Sequence, residues 1–199
     1  MHWFVTQRAK ACDRVLFSLA KGNVVSNLSA FDLVIFGGTG DLAIRKLLPA
    51  LYYIHRDGAM PAGARIFGVG FSRALPQEEY IAKVKAGCQK FVDAAHFNEQ
   101  DWATFAARLH YVRVNTAQAE DFQKLSDALA DGAVSDAIRI FYLSTASDVF
   151  SAICDGLGAV NLISHTTRVV LEKPLGHNYE SNDVINAGVA TLFDESQVY

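Results

Sequence analysis

From Phe31 onward, short apolar runs alternate with longer stretches whose apolar residues recur every three or four positions. That alternation predicts strands separated by helices. Phe31–Phe36 reads as the first strand. Asp41–Arg56 reads as a helix, with Leu42, Leu47, Leu48, Leu51 and Ile54 on one stripe, stopped by Gly58 and Pro61. Arg65–Gly70 is the second predicted strand. Pro76–Val92 is the second predicted helix, opening with a proline and two acids. A helix over Asp101–Arg108, a strand over His110–Val114 and a helix over Ala117–Ala130 follow. The pattern closes with a strand at Ile138–Leu143, a helix at Val149–Leu157, a strand at Arg168–Leu171 and a helix at Tyr179–Phe193. Strands joined through helices imply parallel pairing with right-handed crossovers. The expected fold class is α/β, a doubly wound parallel sheet of the Rossmann-like kind, as a single domain over residues 31–199.

The first thirty residues stand apart. Arg8, Lys10, Arg14 and Lys21 face only Asp13 there, whereas the remainder is acidic. The short apolar run Val15–Ala20 lacks a convincing cleavage site, so a secretory signal is not expected. The segment reads as an N-terminal extension, with an organelle transit peptide as the weaker alternative.

The junction between the first strand and the first helix, Gly37-Gly38-Thr39-Gly40-Asp41-Leu42-Ala43, carries the first chemistry. A glycine turn after a strand lets backbone come close to phosphate oxygens, and the N–H groups opening the next helix then point at the anion. Gly37 and Gly40 lack Cβ atoms, so the backbone there can take positive φ. Thr39 can donate a hydroxyl hydrogen bond, and Asp41 is expected to cap the turn. Gly38-x-Gly40-x-x-Ala43 also fits the dinucleotide fingerprint in its alanine form. The second predicted strand ends Gly68-Val69-Gly70-Phe71-Ser72-Arg73, without the acid that binds a free ribose 2′-hydroxyl in NAD enzymes. Arg73 instead offers a guanidinium for a 2′-phosphate, so NADP is the expected cofactor.

A second phrase, Glu172-Lys173-Pro174-Leu175-Gly176, follows the last predicted strand and puts Lys173 at a strand's carboxyl end, where ligands of open α/β sheets gather. Glu172 could pair with a neighbouring base or cap the next turn. These two phrases, together with Ile140-Phe141-Tyr142-Leu143-Ser144 and the arginine after the second strand, resemble the glucose-6-phosphate dehydrogenase family from about Phe31 to Tyr199. The resemblance implies NADP-linked oxidation of glucose 6-phosphate to 6-phosphogluconolactone, in the oxidative pentose phosphate pathway. It implies that Gly37, Gly38, Thr39, Gly40, Asp41, Leu42 and Ala43 hold the pyrophosphate and that Arg73 holds the 2′-phosphate. Tyr142 would lie near the cofactor, and Lys173 would touch both cofactor and sugar phosphate. Asn115 stands where some relatives keep an acid on the adenine side, and Ser147 where relatives usually carry proline.

The resemblance also implies an absence. In the family the next segment binds the sugar phosphate, and a histidine further on is the general base. No catalytic residue is therefore expected in this chain, which corresponds to the coenzyme domain without the substrate and dimer domain and is expected to be inactive alone. The full-length protein is expected to be a homo-oligomer. Two other readings are a glucose–fructose oxidoreductase-like NADP sugar dehydrogenase and a non-catalytic NADP-binding module. Asp41-Leu42 directly after Gly40 argues against the first.

Composition trims the remaining classes. The 199 residues are 51% hydrophobic and 20% charged with a net charge of −3, which gives no reason to expect nucleic acid binding. No stretch approaches the roughly 20 apolar residues that span a bilayer, so no membrane partner is expected. Cys12, Cys88 and Cys154 are far apart and odd in number, fitting a reducing, cytoplasmic compartment. The six histidines include no H-x-H or H-E-x-x-H pair, so no metal site is expected, and His177 reads as a loop residue.

Overall fold

The computed structural model describes residues 29–71, 74–172 and 188–199. The strands are β1 (Phe31–Phe36), β2 (Arg65–Gly70), β3 (Leu109–Arg113), β4 (Ile138–Leu143) and β5 (Thr167–Leu171). They form one sheet in the order β3-β2-β1-β4-β5, and every pairing is parallel. The helices are α1 (Leu48–Arg56), α2 (Gln77–Phe91), α3 (Glu99–Ala106), α4 (Ala119–Ala130) and α5 (Phe150–Ala159). The chain builds outward from β1 to β3 and then returns to the other side of β1 through β4. The strand order therefore reverses between β1 and β4, the place where open α/β sheets leave a crevice at their carboxyl ends.

Alternation along the strands sends side chains to two cores. On one face Val34, Phe36, Phe67, Val69, Phe141, Leu143 and Val169 pack under Phe122, Leu125 and Leu129 of α4 and Ile153 and Leu157 of α5. On the other, Ile35, Ile66 and Leu109 pack under Leu48, Leu51 and Tyr52 of α1, Tyr80 and Val84 of α2, and Trp102 and Phe105 of α3. Helices cover both faces, which is the doubly wound arrangement expected. The outer edge of β3 is capped by a side chain: Gln77 donates to Leu109 O (2.6 Å) and accepts from Tyr111 N (2.9 Å). On the opposite flank, Tyr199 N donates to Val169 O (2.9 Å) and Leu171 N donates to Tyr199 O (3.0 Å), pairing the last residues in parallel with β5.

At the amino end of the sheet a buried charge ties three strands together. Asp32 of β1 accepts from Arg65 Nε (2.7 Å) and Nη2 (2.9 Å) of β2, and Arg139 of β4 approaches within 3.9 Å. Arg65 also donates to Leu129 O and Asp131 O, meeting carbonyls that the end of α4 leaves open. The carboxylate is thus held by a bidentate guanidinium, the strongest of the side-chain pairings.

Several predicted boundaries move, each for a local reason. The α3 helix starts at Glu99 rather than Asp101, because the Asn98 side chain accepts from Asp101 N (2.8 Å) and caps it earlier. The α4 helix starts at Ala119 rather than Ala117, since Asn115 Oδ1 accepts from Ala117 N (3.1 Å) and uses those residues in a turn. The third strand shifts one residue toward the N-terminus, to Leu109–Arg113, and the fifth starts one residue earlier, at Thr167, and ends at Leu171 as predicted. The helix over 41–56 forms, with a wide π-turn at Ala43–Leu47 just before Pro49. Proline has no N–H and its ring crowds the carbonyl four residues back, so a widened turn relieves the conflict. Most of the last predicted helix, and residues 1–28, lie outside the described residues.

Cys88 and Cys154 are buried free thiols, and burial pushes each up to about 12. Almost no thiolate exists at neutral pH, so both are inert. Iodoacetamide at pH 8 is expected to leave these two unlabelled in the native chain and to label both after denaturation in urea. Peptide mapping by mass spectrometry checks this.

Candidate nucleotide-binding site

Beyond Phe36 the chain turns sharply. Gly37 adopts φ +84°, a conformation that L side chains rarely take, and a Cβ there would stand 2.3 Å from Ser144 O. Gly38 is pressed against β2: its Cβ would meet Gly68 Cα at 2.5 Å and Val69 N at 2.9 Å. Both Gly37 N and Gly38 N donate to Val69 O at 3.0 Å, and Gly40 N donates to Gly37 O at 2.8 Å. Ile44 N reaches back to Gly40 O at 3.0 Å, closing the first helical turn.

These bonds consume the N–H groups of Gly37, Gly38 and Gly40. The N–H groups of Thr39, Asp41, Leu42 and Ala43 take part in no hydrogen bond among the described residues. They are the orphan donors of a helix start, at the positive end of the helix dipole; Ala43 itself is buried. Donors left open in this way fit a pyrophosphate.

Two expectations about the turn are corrected. Gly40 is not among the residues with positive φ; a Cβ there would meet Gly37 O at 3.0 Å, so tightness of the turn is what favours glycine. Asp41 does not cap the helix. Its carboxylate, 78% exposed, pairs with Arg45 one turn on at 3.1 Å. The geometry of the π-turn starts the helix without a side-chain cap.

The parallel register decides what else reaches this rim. Phe36 is level with Leu143 of β4, and Leu143 is level with Leu171 of β5. Glu172 therefore emerges on the same edge as Gly37, two strands away, or about 10 Å. Tyr142 donates its phenolic O–H to Glu172 Oε1, so among the described residues the partner of Glu172 is a phenol. Next to the turn, Thr145 Oγ1 is buried with no hydrogen-bond partner among the described residues, and Thr145 Cγ2 lies 3.2 Å from where a Gly37 Cβ would stand. A buried hydroxyl without a partner is uncommon in a folded chain and singles out this turn. Ser147 opens a tight 3-10 turn, Ser147–Val149, that leads into α5.

On the other side of the turn, Phe71 stacks on Phe36 with ring centroids 6.3 Å apart, bringing the tip of β2 against the tip of β1. Arg73 and Lys173 lie outside the described residues; Phe71 and Glu172, close to them in the chain, share the rim with the glycine turn. Asn115 carries out a structural task, its N–H donating to Asp121 Oδ2 at 2.9 Å and its side chain closing the turn before α4. Among the described residues no group of three or more His, Cys, Asp or Glu is arranged to hold a metal, and no helix is long and apolar enough to cross a membrane.

Residues 34–199 match the family model described as the NAD binding domain of glucose-6-phosphate dehydrogenase. The chain belongs to the glucose-6-phosphate dehydrogenase family. It is 41% identical over 170 residues to the glucose-6-phosphate 1-dehydrogenase of Mycolicibacterium smegmatis, covering 84% of this chain and 34% of that protein. Identity to the Gluconobacter oxydans enzyme of the same name is 39% over 170 residues, covering 85% of this chain and 34% of the relative. The crystal structure of glucose-6-phosphate 1-dehydrogenase from Mycobacterium avium superposes with a TM-score of 0.76 at 26% identity, over 86% of this chain and 35% of that one. The chain thus spans about a third of the length of these glucose-6-phosphate dehydrogenases, and the matched third is the nucleotide-binding domain. The sequence signals missed were tertiary ones: the Thr145 hydroxyl and the pairing of Tyr142 with Glu172 have no local signature.

Proposed function

We propose that residues 31–199 form the NADP-binding domain of a cytoplasmic enzyme that oxidises glucose 6-phosphate to 6-phosphogluconolactone, and that this chain is inactive alone. The observation that carries the reading is the open set of N–H groups at Thr39, Asp41, Leu42 and Ala43 on the same sheet edge as Glu172. The family match supports it. Gly37, Gly38 and Gly40 shape the turn, and the N–H groups of Thr39 and residues 41–43 bind the pyrophosphate, with the Thr39 hydroxyl as a further donor. Tyr142 orients Glu172, and with it the start of the Glu-Lys-Pro turn, so that Lys173 reaches both the cofactor and the sugar phosphate. Arg73 pairs with the 2′-phosphate. When bound, the nicotinamide ring supplies the hydride acceptor. The base that takes the C1 hydroxyl proton, the dimer contacts and most substrate ligands belong to the two thirds of the relatives that this chain does not span.

Calorimetric titration of the purified chain tests the reading. NADP is expected to bind more tightly than NAD, with no turnover of glucose 6-phosphate above about 1 per second. Arg73→Ala is expected to weaken NADP binding far more than NAD binding. Absence of dinucleotide binding would sink the cofactor assignment, and equal losses for both dinucleotides would sink the role of Arg73.

A further inference from the structure

Beyond β2 on the glycine-turn rim, three charged side chains meet at the end of β3. Arg113 is level with Gly70, the last residue of β2, and Val114 N donates to Gly70 O at 2.9 Å, so the two strand ends stay joined past the last ladder pair. Asp121, from the first turn of α4, is buried beneath them. It accepts from Lys124 Nζ (2.6 Å), from Asn115 N (2.9 Å) and, at the longest distance, from Arg113 Nη1 (3.3 Å). The Lys124 and Asn115 hydrogen bonds, in that order, hold its carboxyl below the ordinary carboxylate range.

Two cations thus share one carboxylate, and the cluster keeps a net positive charge. Lys124 and the Asn115 N–H already meet Asp121 at short range. Arg113 is held by a single longer contact, and its Nε and Nη2 take part in no hydrogen bond among the described residues. Its side chain is 35% exposed above a carboxylate that is 2% exposed. Arg113 is thus a partly exposed guanidinium held through Nη1 alone, with Nε and Nη2 left as donors for a further partner.

The rim supplies the direction. A dinucleotide whose pyrophosphate lies on the helix start after β1 places its adenosine ribose over the tip of β2. The next strand out is β3, and the next cation is Arg113. We propose that Arg113, oriented by Asp121, is a second cation for the phosphate on the adenosine ribose and so a determinant of preference for 2′-phosphorylated dinucleotides. The inference rests on the dinucleotide reading above and adds a specificity residue to it.

The test uses the whole chain and two small probes, 2′,5′-ADP and 5′-AMP, titrated calorimetrically. Arg113→Ala is expected to weaken 2′,5′-ADP binding roughly tenfold or more, the worth of a charge-assisted contact, and to change 5′-AMP binding by no more than about twofold. Arg113→Lys, which keeps a partner for Asp121, guards against loss of folding. It is expected to retain the wild-type melting temperature and to lose part of the 2′,5′-ADP preference. An Arg113 that only braces α4 would shift melting and leave the ratio of the two affinities unchanged in both variants; that result overturns the proposal. If Arg73→Ala abolishes the preference and neither Arg113 variant alters it, this inference fails while the dinucleotide reading stands. If the wild-type chain binds neither probe, both fail.

Discussion

Gly38→Ala is expected to lower stability by about 3 kcal/mol, near the upper end of overpacking costs. The new methyl would meet Gly68 Cα at 2.5 Å and Val69 N at 2.9 Å, both backbone atoms of a central strand that cannot rotate away. The only relief is to push the turn off β2, which also breaks the Gly37 and Gly38 hydrogen bonds to Val69 O and displaces the donors at Thr39 and Asp41. Gly58→Ala is the matched control. Gly58 has φ +69° with nothing within 4 Å of its would-be Cβ, so only the left-handed backbone is penalised, at about 1 kcal/mol. Urea unfolding followed by fluorescence of the buried Trp102 reads the difference. Equal costs for the two variants would remove crowding against β2 as the reason for glycine at position 38. The same Gly38→Ala chain is expected to lose most of its NADP affinity even where it remains folded.

Asp32→Ala is expected to cost about 3 kcal/mol, and to do so without touching the nucleotide rim. Removing this carboxylate leaves Arg65, 13% exposed at its side chain, without its bidentate partner and Arg139 without its counter-ion. Breaking one partner of a buried pair is costly because the remaining charge stays desolvated. Arg65 keeps its bonds to Leu129 O and Asp131 O, which holds the loss toward the lower end of that range. The trio joins β1, β2 and β4 at their amino ends, whereas the glycine turn lies past the carboxyl ends of the same strands. A folded Asp32→Ala chain at low temperature should therefore bind NADP with near wild-type affinity. A large affinity loss in chain shown to be folded by circular dichroism would mean that the two ends of the sheet are coupled.

How much of this was readable in advance depended on range. The bounds of β1, β2 and β4 are legible to the residue, because each is a compact, mostly apolar run; β1 stops at Gly37 and β2 ends in Gly70. Helix starts were less legible where a side chain intervenes, as Asn98 and Asn115 show, since two turn-formers of the same chemistry moved the boundary in opposite directions. The glycine turn is legible in the sequence, but its division of labour is not. Gly40 looked like a positive-φ position and is not, and Asp41 looked like a cap and pairs with Arg45. The partner of Glu172 was open in the sequence because a phenol thirty residues earlier has no local claim on it.

Taken alone, the sequence determined the α/β class, the strand–turn–helix setting of Gly37–Ala43 and the strand-end position of Glu172, because periodicity and glycine chemistry act over a few residues. Only the tertiary structure decided that the chain reverses direction across the sheet at β1. It also decided which N–H groups stay open, that Tyr142 holds Glu172, and that Arg113 shares Asp121 at the neighbouring rim. Parallel strands pair through crossovers of a dozen residues or more, so their register, and every contact that depends on it, is a property of packing and not of any short stretch of chain.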